Sequence, residues 1–163
     1  MIHRKASEIM NTSVVTFRPD TDIYEAIRTF LKNRFSGAPV IDAEAKVIGI
    51  LSELDCLRVL TAEAWDGFPE GKVGDYMTAK VASVKPDTSV YDIVGIFLNK
   101  PYRRLPVLDD DGKLQGQISR RDVLGAIDNM RENPYLYGSK DQHLDLEEGG
   151  GGVHSAMQRA RDL

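Results

Sequence analysis

Gly49-Ile50-Leu51-Ser52-Glu53-Leu54-Asp55 returns 67 residues later as Gly116-Gln117-Ile118-Ser119-Arg120-Arg121-Asp122. In both, an apolar β-prone run ends at a serine and a helix-forming stretch follows, so the serine opens a helix with an aspartate on its first turn. Working outward in the same register, residues 7–60 fall on 74–127 without a gap. Met10 meets Met77, Pro19-Asp20-Thr21 meets Pro86-Asp87-Thr88, and Tyr24 meets Tyr91. Further along, Phe30-Leu31 meets Phe97-Leu98, Pro39-Val40 meets Pro106-Val107, and Asp42 meets Asp109. A register that survives turns, helix starts and strand patterns alike is an internal duplication.

Each copy reads β-α-β-β-α. A β-prone stretch (Val14 to Phe17; Val81 to Val84) leads into a proline turn. A helix follows, capped by Asp22 or Ser89, with Glu25 or Asp92 three places on. Its apolar stripe is Ile23, Ile27, Phe30 and Leu31 in one copy and Val90, Val94, Phe97 and Leu98 in the other. Two short strands, Pro39–Asp42 with Val47–Leu51 and Pro106–Asp109 with Leu114–Ile118, are spaced for antiparallel hairpins, and Asp111-Gly112 is a strong turn signal. A copy of this size is near the lower limit for folding alone. The expected architecture is therefore α+β: two repeats packed with pseudo-twofold symmetry as one cooperative unit, with small mixed sheets and helices. The expected divisions are 1–62 for the first repeat, 63–72 for a linker holding Trp65, 73–131 for the second repeat, and 132–163 for an acidic, glycine-rich, flexible tail.

Composition narrows the function. In 163 residues, 21 lysines and arginines face 25 aspartates and glutamates, a net charge of −4 that argues against general nucleic-acid binding. The single cysteine, Cys56, rules out an internal disulfide and reads as a core residue. No apolar run is long enough to cross a bilayer, and Met1-Ile2-His3-Arg4-Lys5 has no apolar stretch behind it, so a cytoplasmic protein is expected. His3, His143 and His154 all lie in the terminal arms, so no histidine-based metal centre or catalytic dyad is expected in the folded part. No phosphate loop, nucleophile elbow or His-Glu-x-x-His motif occurs, so catalysis is not expected.

Two readings of the repeated Gly-x-x-Ser-x-x-Asp motif stand. In the first it is a capping box and nothing more, the serine hydroxyl serving the third amide and the acid reaching back to the cap. In the second, the helix N-terminus attracts an anion while the aspartate accepts two hydrogen bonds from a sugar diol, as a ribonucleotide would offer. Each bond to a charged acceptor is worth about 1.5–3 kcal/mol.

Taken in order and twice over, these segments, with the Met10-Asn11 and Met77-Thr78 openings, the proline turns, Ala38-Pro39-Val40 and Leu105-Pro106-Val107, resemble a pair of CBS domains (a Bateman module) across about residues 3–130. The resemblance implies a non-catalytic regulatory module that binds an adenine nucleotide (AMP, ADP or ATP), with or without magnesium, in clefts between the repeats. It also implies a homodimer and transmission of the ligand state to a partner protein that the sequence does not name. It further implies that one cleft uses Ser52 and Asp55 with Met77, Lys80, Ala82, Tyr102, Arg103, Arg104 and Leu105. The other uses Ser119 and Asp122 with Met10, Ser13, Val15, Phe35, Ser36, Gly37 and Ala38. Backbone groups before Pro39 and Pro106 would read the adenine edge. Lys80, Arg103 and Arg104 in the first cleft, and Arg120 and Arg121 beside the second, are either phosphate partners or solvated surface cations. The alternatives are a sensor of S-adenosylmethionine or a dinucleotide, and a dimerisation scaffold with vestigial clefts.

Overall fold

A computed structural model describes residues 4–61 and 70–132. Most of the linker, Trp65 included, the tail and all three histidines lie outside the described residues. In chain order the elements are α1 (Ala6–Ile9), α2 (Ile23–Asn33), β1 (Gly37–Ile41), β2 (Val47–Ser52), α3 (Glu53–Leu57), a 3-10 turn (Arg58–Thr61), α4 (Val73–Tyr76), α5 (Val90–Asn99), β3 (Arg104–Leu108), β4 (Leu114–Ser119) and α6 (Arg120–Glu132). The α+β duplication is present as expected, with a β1/β2 hairpin in one half and a β3/β4 hairpin in the other, both antiparallel.

The local signals act where the sequence places them. Asp22 accepts from the Tyr24 and Glu25 amides at 3.0 and 3.1 Å and starts α2. The Ser89 hydroxyl accepts from the Asp92 amide at 3.1 Å and starts α5. At the hairpin turns Ala45 and Gly112, equivalent positions, both take positive φ, 64° and 81°. The two turns then bond to each other, Val47 N–H to Gly112 carbonyl at 3.0 Å and Leu114 N–H to Ala45 carbonyl at 3.3 Å, which ties the halves about their pseudo-twofold.

Two expectations need correction. The β-prone stretches 14–17 and 81–84 form no strand; Phe17 and Val84 alone pair, in parallel, with Val40 and Val107. Proline explains the limit. Phe17 N–H reaches the Pro39 carbonyl and its carbonyl accepts from Ile41, but the next bond on one side needs an N–H on Pro39 and on the other side one on Pro19. Pro106 and Pro86 block the ladder around Val84 in the same way. The second correction is to the helix stripes: Ile23, Ala26 and Phe30 of α2 and Val90 and Ile93 of α5 are buried, but Leu31 and Leu98 are 74% and 80% exposed. They lie on the outer edge of each helix, beyond the neighbouring packing.

Two hydrophobic cores form, and each is completed by the other repeat's opening segment. Val73 of α4 is fully buried with Phe17, Ile23, Phe30, Val40 and Leu51 of the first repeat. Ala6 of α1 is fully buried with Val84, Val90, Ile93, Val107 and Ile118 of the second. Backbone bonds fix the exchange: Ile23 N–H to Gly71 carbonyl at 3.0 Å, and Val90 N–H to Arg4 carbonyl at 2.9 Å. The same crossing adds Thr78 beside Ile50 of β2 and Asn11 beside Gln117 of β4 through reciprocal backbone bonds. Neither half has a complete core without residues from the other, which makes the unit cooperative.

Candidate functional site

The two strand-to-helix junctions are built alike. The Ser52 hydroxyl donates to Asp55 Oδ2 at 2.6 Å, the Ser52 amide donates to the same oxygen at 2.9 Å, and the Asp55 amide donates to the hydroxyl at 3.2 Å. Ser119 and Asp122 repeat these bonds at 2.6, 2.7 and 3.3 Å. Both motifs are therefore capping boxes, and each uses only one carboxylate oxygen to be so. The second oxygen is where they diverge. Asp55 Oδ1 accepts from the Arg58 guanidinium at 3.1 Å and faces the Thr78 hydroxyl at 3.4 Å, and Asp55 is 4% exposed. Asp122 is half-buried, and its Oδ1 has no partner among the described residues.

The glycines that open the motifs are also explained. A Cβ on Gly116 would lie 2.7 Å from the Met10 sulfur, and one on Gly49 would lie 2.6 Å from the Met77 sulfur. The bare glycine faces let the crossing segments lie flat on β2 and β4, which brings residues 11–15 alongside Ser119.

A cleft of about 250 Å³ opens there, lined by Asn11, Ser13, Val14, Val15, Phe35, Gly37, Arg104, Gln117, Ser119 and Asp122. That is just below the ~300–1,000 Å³ common for small-molecule sites. Val14, Val15 and Phe35 supply apolar walls. Phe35 is held edge-on by Phe30 at 5.7 Å, itself edge-on to Phe17 at 5.4 Å, so the core positions this wall. Asn11 Oδ1 accepts from the Ser13 amide at 2.9 Å and fixes the crossing segment. Polar groups of Asn11, Gln117, Ser119, Asp122 and Arg104 ring an apolar slot, an arrangement suited to a flat heterocycle carrying a hydroxylated, negatively charged substituent.

Of the residues assigned to this cleft, Ser13, Val15, Phe35, Gly37, Ser119 and Asp122 line it. Met10 stands behind, packed on Gly116. The Ser36 carbonyl accepts the Glu53 amide at 3.0 Å. Ala38 is buried in the first core, so its side chain faces inward. Arg120 and Arg121 are exposed, and Arg121 borders an adjoining groove of about 310 Å³ between α1 and α6, which Asp122 also lines, with Arg4, Glu8 and Gly125. Arg104, which the resemblance assigns to the Ser52 cleft, lines the Ser119 cleft, where the β3/β4 register sets it opposite Ser119. Leu105, the next residue, points into the second core instead. Of the rest, Met77 packs on Gly49, Ala82 packs against the second core, and Lys80, Tyr102 and Arg103 are exposed. Sequence reading missed Asn11, Val14 and Gln117. Strand alternation held the signal for Gln117, which shares a face with Ser119 two residues on.

A further groove, about 450 Å³ and apolar, lies between α2 and α3, lined by Tyr24, Ile27, Phe30, Leu31, Glu53, Cys56, Leu57 and Val59. Burial raises the Cys56 thiol from 9.0 to about 11, with the Asp55 and Glu53 charges adding to the effect.

Known proteins share this build. The CBS domain family model matches residues 6–62 and again 73–129. The chain is 32% identical over 150 residues to the protein MJ1426 of Methanocaldococcus jannaschii, covering 74% of this chain and 89% of that one. It is 36% identical over 135 residues to the chloroplastic CBS domain-containing protein CBSX1 of Arabidopsis thaliana, covering 67% of this chain and 57% of that one. Among solved structures, the complex of CBSX2 with AMP superposes with a TM-score of 0.70 at 28% identity, covering 78% of this chain and 98% of that chain. An inosine-5'-monophosphate dehydrogenase of M. jannaschii is 32% identical over 121 residues, which are only 23% of that enzyme's length.

Proposed function

The chain belongs to the CBS domain family, and on that premise we propose that it is a regulatory module whose Ser119–Asp122 cleft binds an adenine nucleotide and passes the ligand state to a partner protein. One observation carries the reading: a half-buried carboxylate, anchored by one oxygen and with the other unpartnered among the described residues, lines a slot with apolar walls. A ribose diol supplies the donors that oxygen lacks, Val15 and Phe35 sandwich the base, and Arg104 offers a positive charge to a phosphate. The solved CBSX2 contains AMP, which favours a nucleotide over other flat ligands. The dehydrogenase match, spanning a small part of that enzyme, favours binding over catalysis for this segment.

Regulation requires a ligand to favour one arrangement of the halves over another. The cleft is suited to that, because it is lined by residues of both repeats, with Phe35 and Gly37 from one and Ser119 and Asp122 from the other. Calorimetric titration with AMP, ADP, ATP and S-adenosylmethionine, each with and without magnesium, tests the reading. Binding of one or more adenine nucleotides is expected. Neither heat nor a rise in melting temperature from any of the four at millimolar concentration would retire it.

A homodimer belongs to the same proposal. Leu31, Leu54 and Leu57 in one half and Tyr91, Leu98 and Leu124 in the other are all strongly exposed, and the apolar groove between α2 and α3 adjoins the first set. Sedimentation equilibrium is expected to give twice the chain mass, and Leu31→Glu with Leu98→Glu to reduce it to one. No described helix is long and apolar enough to cross a membrane, and a cytoplasmic location is part of this proposal.

A further inference from the structure

The duplication makes the surroundings of the two aspartates directly comparable, and they differ at the positions that reach the free oxygen. Arg58 stands where the second repeat has Gly125, and Thr78 stands where the first has Asn11. In the first half Arg58 and Thr78 both turn to Asp55 Oδ1, at 3.1 and 3.4 Å. In the second half Gly125 has no side chain to offer, and Asn11 directs its acceptor to the Ser13 amide instead. The backbone differs too: the Glu53 amide at the start of α3 is taken by the Ser36 carbonyl, whereas the Arg120 amide at the start of α6 has no backbone acceptor among the described residues.

From this we infer that Arg58 is a built-in occupant of the Asp55 junction, so that the chain takes one nucleoside-type ligand, at Asp122, and Arg58 is the residue that sets this count. The inference rests on the nucleotide reading above and adds to it the stoichiometry and its determinant. A guanidinium already donates to the Asp55 oxygen whose counterpart on Asp122 has no partner among the described residues. A ligand arriving at Asp55 must break a charge-assisted bond before making its own, while one arriving at Asp122 meets a vacant acceptor. Arg58 is itself 60% exposed, so replacing it frees the Asp55 oxygen it bonds without removing a core side chain.

Carboxylate labelling tests the inference without any nucleotide. The full chain is treated with a water-soluble carbodiimide and glycinamide, and peptides are read by mass spectrometry. Asp122 is expected to label at least tenfold faster than Asp55, and Arg58→Gly to raise Asp55 to the rate of Asp122. Equal rates in the unsubstituted chain would overturn the inference.

Titration with AMP supplies the second arm: one equivalent per chain, two in Arg58→Gly, and none in Gly125→Arg, which installs the occupant in the other half. A Cβ at Gly125 meets no atom within 4 Å, so Gly125→Arg is expected to fold and keeps the test open should Arg58→Gly not fold. Two equivalents in the unsubstituted chain, or undiminished binding in folded Gly125→Arg, would also overturn the inference. Absence of AMP binding from every variant would count against the nucleotide reading alone, with labelling still deciding the role of Arg58.

Discussion

Met10 on Gly116 and Met77 on Gly49 are one contact made twice, whereas Arg58 and Gly125 are one position put to opposite uses. The first pair belongs to the set of features the backbone depends on: the capped starts of α2 and α5, the prolines that stop the parallel ladders, and the bare glycines under the crossing segments. A change at any of them disturbs both cores, since each core borrows a segment from the other repeat. The second pair sits at the mouth of a junction, where a side chain can be gained or lost without moving the backbone. The two halves therefore share their scaffold and differ in what their aspartates face.

The sharpest way to break this comparison is at the aspartates. Asp122→Ala removes the acceptor and is expected to weaken nucleotide binding by about 2–4 kcal/mol, roughly 30- to 1,000-fold in Kd. Asp55→Ala is expected to leave the affinity near that of the unsubstituted chain and to lower stability by ~1 kcal/mol through the lost cap. Titration and thermal melts of both variants read the difference. Equal losses of affinity would mean that the two junctions are working sites alike.

The scaffold predicts equality where the junctions predict difference. Gly49→Ala and Gly116→Ala each force a methyl group against a methionine sulfur and within about 3 Å of a backbone carbonyl, that of Thr78 or Asn11. Each is expected to cost about 1–3 kcal/mol, and the two costs should match, as chemical denaturation would measure. A large disparity would show that one half carries the stability for both.

Much of this was legible in the sequence because duplication repeats every signal. The helix caps, the hairpins and the Ser-x-x-Asp junctions each appeared twice in one register, and the α+β fold with pseudo-twofold pairing followed. What was not legible depended on which faces meet. The single-turn helices α1 and α4 carry no apolar period of their own and owe their shape to docking on the opposite repeat, though Glu8 and Asp75, each bonding back three residues, were a faint mark of them. Leu31 and Leu98 fit the helical stripe, yet periodicity cannot tell the edge of a buried face from an exposed face. That Arg104 borders the Ser119 cleft follows from the β3/β4 register, whose irregularity after Val107 is not written in the sequence. The Arg58–Asp55 pair stands at i, i+3 spacing, but spacing alone does not say that the guanidinium turns to the carboxylate and not to solvent.

The hairpin turns offer a smaller contrast. Ala45 and Gly112 occupy the same left-handed turn position, a conformation that disfavours a residue with a Cβ by about 1–2 kcal/mol, partly offset by the greater freedom glycine loses on folding. Ala45→Gly should then stabilise the protein by ~0.5–1 kcal/mol, and Gly112→Ala should destabilise it by a similar amount. Opposite shifts in denaturation midpoint would confirm that the turns are equivalent in backbone and unequal in strain.

The smallest expected effect comes from the residue pair beneath α3 and α6, where Cys56 in the first repeat corresponds to Val123 in the second. In the folded chain burial, and then the charges of Asp55 and Glu53, hold the thiol protonated up to about pH 11, while the unfolded thiol ionises near 9.0. Between those values the folded state binds more protons than the unfolded state, so stability falls as pH rises. Below pH 9 the contribution is fully present; by pH 11 it has gone. Because the thiol is only partly buried, solvent reduces the effect, and the measurement is a difference: denaturation from pH 8 to 11 of the unsubstituted chain against Cys56→Val, which places the second repeat's residue in the first. The unsubstituted chain should lose stability more steeply across that window. Parallel curves would mean that the groove between α2 and α3 is wetter than its apolar lining implies, and that the thiolate forms there at little cost.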